Sequence, residues 1–287
     1  MRIDELYKTR KPGISFEIFP PKRDSYLKDI EPVVEILADL KPDYISITFG
    51  AGGSVADNRT MDIARLIKDK YHVEPMVHMT CLNYSRDEID VVAREMEEYG
   101  IENVLALRGD RREGFPEKKD FRYANELTEY LVSKGHDFCI AGGCYPEGHL
   151  ECPDKKTDIV NLKKKVDAGD TLLISQLFFD NGFFYDFVSR ARETGIGVTI
   201  TPGIMPVINK AQIERMTPTC GASLPPRFRK IMERYGDNKD ALFDAGMSYL
   251  VSQAVDLMAS GSEGIHLYSM NRADVARRLV DSLKNLV

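Results

Sequence analysis

Tryptophan is absent, and no stretch reaches the run of about 18 apolar residues that a membrane-crossing helix needs. The opening residues, MRIDELYKTRKPG, lack the apolar core of a secretion signal, which points to a cytosolic protein. Cysteine is scarce and odd in number. Cys81, Cys139, Cys144, Cys152 and Cys220 show no C-x-x-C spacing, and the chain is too large to need disulfide staples, so they read as free thiols in a reducing compartment. The histidines His72, His78, His136, His149 and His266 form no H-x-H or H-E-x-x-H pair, and no metal is expected. Basic excess is missing too. With 39 Lys and Arg against 45 Asp and Glu, the net charge of −6 has the wrong sign for a protein that lives on nucleic-acid phosphates. Neither a low-complexity linker nor a solenoid repeat interrupts the chain.

What is present is an ordinary globular composition, 43% hydrophobic and 29% charged over 287 residues, which suits one large domain and excludes disorder as the main state. Eight short apolar runs, 14–19, 44–48, 75–80, 103–107, 138–142, 171–176, 197–201 and 264–268, read as strands. Between them lie helix-periodic stripes, such as Ile30-Val33-Val34-Leu37, Ile89-Val92-Ala93-Met96, Ile159-Leu162-Val166 and Val275-Leu279-Val280-Leu283. Gly100, Gly135, Gly169 and Gly195 mark helix stops, and Asn271 is placed to cap the last helix. Strand–helix alternation repeated eight times predicts a closed (β/α)8 TIM barrel spanning residues 1–287 as a single domain. The competing open doubly wound sheet usually carries fewer strands. The Pro-rich stretch 205–235 and the segment 241–259 predict extra helices before the last strand.

A barrel keeps its chemistry where its strands end, at the C-terminal face. Those ends carry Glu17, Thr48, His78, Arg108-Gly109-Asp110, Tyr145, His149, Gln176 and Tyr268. Alternation puts Ser15, Glu17 and Phe19 on one face of the first strand and Ile14, Phe16 and Ile18 on the other. Glu17 then points into the barrel mouth, where burial is expected to raise its pKa and suit it to general-acid work; a buried structural ion pair is the alternative. Asp110 either pairs with Arg108 at the surface or, beside the flexible Gly109, accepts hydrogen bonds from a ligand. Asp158, Asn161 and Lys165 share a helix face that is either a solvated stripe or a wall for a nucleotide. The turn Gly50-x-Gly52-Gly53 has Val55 where a dinucleotide fingerprint needs glycine, and no P-loop string occurs.

Taken in order, ISFEIFPPK, ISITFGAGGS, PMVHMTC, LALRGD, YPEGH, DIVNLKKKVDAG, ISQLFFD, TPGIMPV and LYSMNRA, from residue 14 to residue 273, resemble the methylenetetrahydrofolate reductase family. The resemblance implies an FAD-binding barrel that reduces 5,10-methylenetetrahydrofolate to 5-methyltetrahydrofolate by a ping-pong hydride relay. Glu17 matches the family's general acid and Asp110 the acid beside flavin and pterin. Gln176, Gln212 and Arg272 match substrate contacts. Thr48, His78, Arg108, Gly109, Asp110, Tyr123, Ala124, Tyr145, His149, Asp158, Asn161 and Lys165 match FAD contacts. Some bacterial members place an aromatic residue four positions after the glutamine matched by Gln212. Here that position is Met216, which leaves the electron donor open among NADH, NADPH and a partner subunit. An oligomer is expected. Two other readings are a folate-binding barrel methyltransferase without flavin and a flavin-binding assembly subunit without reductase chemistry.

Overall fold

A computed structural model of the chain describes residues 1–9, 13–21, 26–49, 59–111 and 117–286. The glycine turn at 50–53 and residues 112–116 of the charged loop 111–120 lie outside the described residues. The element order is α1 (Ile3–Thr9), β1 (Gly13–Ile18), α2 (Tyr26–Asp39), β2 (Tyr44–Ile47), α3 (Arg59–Arg65, running on as a π-helical turn over Leu66–Lys70), β3 (Glu74–Thr80), α4 (Arg86–Glu98), β4 (Asn103–Leu107), α5 (Ala124–Ser133), β5 (Cys139–Cys144), α6 (Lys155–Ala168), β6 (Leu172–Ser175), α7 (Asn181–Glu193), β7 (Thr199–Thr201), β8 (Gly203–Ile204), α8 (Lys210–Cys220), α9 (Pro226–Tyr235), α10 (Lys239–Ala259), β9 (Gly264–Tyr268) and α11 (Ala273–Leu283).

The strands form one parallel sheet in the order β7-β6-β5-β4-β3-β2-β1-β9-β8. β7 and β8 are consecutive in the chain, so the two sheet ends are halves of one barrel strand and the sheet closes on itself as a (β/α)8 barrel. The expected seventh strand is thus shorter and split. Pro202 has no N–H to give the ladder; its carbonyl instead accepts from the His266 N–H at 2.9 Å. Upstream, β7 pairs with β6; downstream, β8 pairs with β9.

Each helix stripe read from the sequence faces the barrel: Ile30, Val34 and Leu37 on α2, Ile89, Val92, Ala93 and Met96 on α4, and Val275, Leu279 and Leu283 on α11 are buried. Ser85 and Glu88 close a capping box that starts α4. The four stop glycines all adopt positive φ, which any other residue would resist. The last helix departs from expectation. Asn271 does not cap α11; its side-chain amide grips the Phe19 backbone, donating to the carbonyl at 2.9 Å and accepting from the N–H at 3.0 Å. It ties the end of β1 to the segment after β9, and Arg272 takes the cap position without a side-chain bond to the helix's backbone N–H groups.

Inside the barrel the two sides differ. Met76, Leu105, Ala141, Leu172 and Ile174 fill the β3–β6 side, with Ile3 of α1 closing the floor. The β9–β1–β2 side instead buries Ser15, Ser46, Tyr44 and His266 at no measurable exposure.

Candidate active site

A cavity of about 410 Å³ opens among the C-terminal strand ends, within the range of small-molecule sites. Its wall brings together Glu17, Thr48, His78, Arg108, Gly109, Asp110, Tyr145, His149 and Gln176, the strand-end residues singled out in the sequence. Leu105, Leu107, Ile174, Leu177 and Met205 give it an apolar lining, and Met216 stands on its wall.

Glu17 lies at the base. Its side chain keeps 19% exposure, against 7% for His78 and none for His266. Its Oε2 is 3.4 Å from His78 Nε2 and 3.7 Å from His266 Nε2. The expected upward pKa shift is not what this arrangement produces. Burial does push the carboxyl up and is the largest single influence, but hydrogen bonding and charge from His266 and His78 together outweigh it and hold Glu17 at about 2. The resting residue is therefore a carboxylate cradled by two imidazoles.

His266 is in turn fixed from behind. Its Nδ1 meets Ser15 Oγ at 2.7 Å and its Nε2 lies 3.4 Å from Ser46 Oγ. The Tyr44 ring stacks beside it at 5.7 Å. Sequence reasoning passed over His266, Ser15 and Ser46. One signal was available: His266 and Tyr268 share a strand face by alternation, the same face that meets Ser15 and Glu17 in register across β1 and β9.

At the rim, Asp110 is exposed, and Arg108 does not pair with it. Arg108 makes two hydrogen bonds to Glu151, at 2.6 and 2.7 Å, which hold the Glu151 carboxyl at about 2. Gly109 adopts φ +85°, and a Cβ there would press on Thr80 at 3.0 Å, so the backbone at this edge is necessarily bare. The Gln176 Oε1 accepts from the Leu177 N–H at 2.8 Å, which turns the amide N–H groups away from that bond and leaves them for a ligand. Burial raises the Tyr145 phenol to about 12 and the Cys144 thiol further still, so both are neutral groups in this wall.

Seven expected residues do not line this cavity. Asp158 accepts from the His149 N–H at 3.3 Å and Lys165 Nζ donates to the Gly143 carbonyl at 2.7 Å, so both brace cavity residues from behind. Asn161 is exposed next to Lys164, at 3.0 Å. Tyr123 is 59% exposed and Ala124 is buried at the start of α5. Gln212 and Arg272 line a second, larger cavity of about 1000 Å³, which shares Met270 with the first. Arg272 is engaged there by Asp274 at 2.6 and 2.8 Å.

The lining fits a flavin. A flat three-ring system finds an apolar surface and, at Gly109, a backbone edge that no side chain covers. No group of three or more His, Cys, Asp or Glu side chains among the described residues is arranged to hold a metal ion. No helix of the described residues is long and apolar enough to cross a membrane.

The family model for methylenetetrahydrofolate reductase matches residues 2–284. The chain belongs to the methylenetetrahydrofolate reductase family. It is 33% identical over 271 residues to the 5,10-methylenetetrahydrofolate reductase of Escherichia coli, covering 94% of this chain and 90% of that protein. It is 34% identical over 299 residues to methylenetetrahydrofolate reductase (NADH) 1 of Arabidopsis thaliana, covering 99% of this chain. The chain spans about half the length of that plant relative and of a rice relative. Among solved structures, an uncharacterised Clostridium thermocellum protein that binds two copies of 5-methyl-5,6,7,8-tetrahydrofolic acid superposes with a TM-score of 0.71 at 16% identity, covering 99% of this chain and 98% of the other. That likeness supports the family's barrel fold.

Proposed function

We propose that this chain, as one catalytic barrel, reduces 5,10-methylenetetrahydrofolate to 5-methyltetrahydrofolate with FAD as its cofactor. The observation that carries the reading is a single carboxylate, Glu17, at the base of the strand-end cavity whose rim supplies Asp110 and Gln176. FAD, when bound, supplies the hydride. Thr48, His78, Arg108, Gly109, Tyr145 and His149 would hold it, braced by Asp158 and Lys165.

The chain's own work is positioning and proton transfer. The pterin carries N–H donors that suit the acceptor-only carboxylate of Asp110. The free amide N–H groups of Gln176 suit a pterin acceptor. Opening the imidazolidine ring requires a proton on the folate's bridging nitrogen, and Glu17 Oε2 is the group at the base to deliver it. Because two imidazoles keep Glu17 ionised at rest, that proton reaches Oε2 at the moment of need rather than being stored there. The electron donor enters over the same cavity. Met216 gives that entrance a flexible thioether wall in place of a ring.

The test mixes photoreduced, FAD-loaded protein with 5,10-methylenetetrahydrofolate. Reoxidation with formation of 5-methyltetrahydrofolate is expected; a flavin that stays reduced rejects the reading. Glu17→Gln should abolish folate reduction and leave FAD binding and donor oxidation largely intact. Screening NADH, NADPH and reduced ferredoxin as donors identifies the source of electrons.

A further inference from the structure

We propose that Glu151 is a positioning residue for the cofactor: it holds the Arg108 guanidinium ready for the diphosphate of FAD and yields it when the diphosphate arrives. The inference rests on the FAD reading above and adds the step by which this chain admits the anionic part of the cofactor.

The first observation is how few cations the cavity has. Among the described residues that line it, Arg108 is the only lysine or arginine, while Glu17 and Asp110 bring carboxylates. Lys165 stands behind the wall, its Nζ bonded to the Gly143 carbonyl at 2.7 Å, and Lys164 donates to Asn161 Oδ1 at 3.0 Å. A flavin ring needs no cation, but the diphosphate that joins it to adenosine is anionic. A guanidinium fork matches phosphate oxygens in pairs. In this wall the diphosphate has Arg108 to go to.

The second observation is that Arg108 is already taken. Its Nη1 and Nη2 donate to Glu151 Oε2 and Oε1 at 2.6 and 2.7 Å, and its Nε donates to the Gly109 carbonyl at 3.2 Å. The two partners differ in exposure: 19% for the Arg108 side chain and 52% for that of Glu151. The guanidinium belongs to the wall, and the carboxylate reaches it from outside. A phosphate that docks on the same fork meets a like charge at close range, so the carboxylate has to leave.

The third is that the carboxylate can leave alone. The Glu151 N–H donates to His149 Nδ1 at 3.1 Å, and the Cys152 N–H donates to the His149 carbonyl at 2.9 Å. His149 meets the Tyr145 ring edge-on at 4.6 Å, and Asp158 accepts from its N–H at 3.3 Å. Backbone bonds thus fix the turn, and the Glu151 side chain can swing into water without moving it. The same bonds settle the His149 tautomer. Nδ1 accepts, so the ring, kept neutral by burial and by the charge of Arg108, carries its proton on Nε2. That donor stays in place when the carboxylate goes.

The exchange trades one ion pair for another and makes or breaks no covalent bond. Nη1 and Nη2 release carboxylate oxygens and take phosphate oxygens, and Glu151 regains its water. Until then the pair holds the fork in one orientation, which lowers the cost of ordering it on binding. It also keeps the guanidinium occupied against smaller phosphates. A ligand that fills the apolar lining as well gains enough to displace the carboxylate, so Glu151 favours a diphosphate that carries a flavin.

The test titrates flavin-free wild-type and Glu151→Gln chains with FAD and with riboflavin, followed by flavin fluorescence. The substitution keeps the shape of the side chain and removes its charge. FAD should bind the variant about fivefold more tightly, the upper end of what an exposed ion pair is worth. That gain should shrink as salt is raised, because salt screens the attraction that the variant uncovers. Riboflavin, which has no phosphate, should bind both chains alike. Equal or weaker binding of FAD to the variant overturns the exchange and leaves Glu151 a brace. A gain that riboflavin shares, or that salt leaves untouched, comes from packing and overturns it too. If the wild-type chain takes up neither flavin, the FAD reading falls, and inorganic pyrophosphate titrated by calorimetry judges the exchange alone. Tighter binding of pyrophosphate to Glu151→Gln upholds it; equal binding, or none to either chain, overturns it.

Discussion

Glu17 is pulled in opposite directions by its surroundings. Burial favours the neutral acid, and the imidazoles of His266 and His78 favour the carboxylate and prevail. Removing an imidazole should therefore let burial win. His266→Phe, which keeps a ring beside Tyr44, is expected to raise the Glu17 pKa and produce a protonated-carboxyl infrared band at pH 5 that the wild type lacks. The same balance has a sign for stability. A carboxyl held at about 2 against an ordinary 4.5 stabilises the fold above the ordinary value and loses that contribution as pH falls towards 2. The loss amounts to about 3 kcal/mol at 1.36 kcal/mol per pKa unit. Glu17→Gln has no such loss, so its urea midpoint relative to wild type should rise between pH 5 and pH 3. A gap that ignores pH would contradict the assignment. The strand-end residues were legible in sequence because a strand's end is a local feature. The direction of the Glu17 shift was not, because its partners come from β3 and β9, and only the barrel's register sets which side chains meet.

Between elements, Asp170 shows the reverse case. It sits just before β6, 2% exposed, with Oδ1 accepting from Thr128 of α5 at 2.7 Å and Oδ2 without a partner. Burial lifts its carboxyl from 3.8 to about 7, against the pull of Lys165 and Thr128. Between those values the folded chain holds a proton that the unfolded chain has released, so stability falls as pH rises through this window. Asp170→Asn keeps the acceptor for Thr128 and carries no charge. It should be more stable than wild type at pH 8, by up to roughly 4 kcal/mol on the same conversion, and about equal near pH 4, as read from urea unfolding at both. The eight strand runs, the helix stripes and the helices inserted before β9 were legible from periodicity, but α1 was not. Two further details escaped it: the break at Pro202, where a missing N–H divides a strand between two neighbours, and the use of Asn271 as a clamp on Phe19. Both depend on a distant strand being adjacent, which local propensity does not encode.

Across the barrel, chemistry and stability occupy opposite faces. The candidate cavity lies at the strand C-termini; the floor is closed by α1, whose Ile3 is 1% exposed within the interior cluster of Tyr44, Met76, Leu105 and Leu172. The Ile3 N–H donates to Asn103 Oδ1 at 2.8 Å, so the helix is pinned by backbone as well as by packing. Truncating a buried isoleucine removes transferred surface and leaves a cavity, at a cost of about 2–5 kcal/mol. Ile3→Ala should lower the melting midpoint by roughly 4–20 °C, taking about 2–4 °C per kcal/mol for a chain of this size. FAD affinity should not change, because Ile3 contributes nothing to the cavity wall. Calorimetry and flavin titration of the same variant separate the two quantities. A weakened flavin site with an unmoved midpoint would mean that the floor communicates with the mouth through the apolar side of the core, and the division between faces would fail.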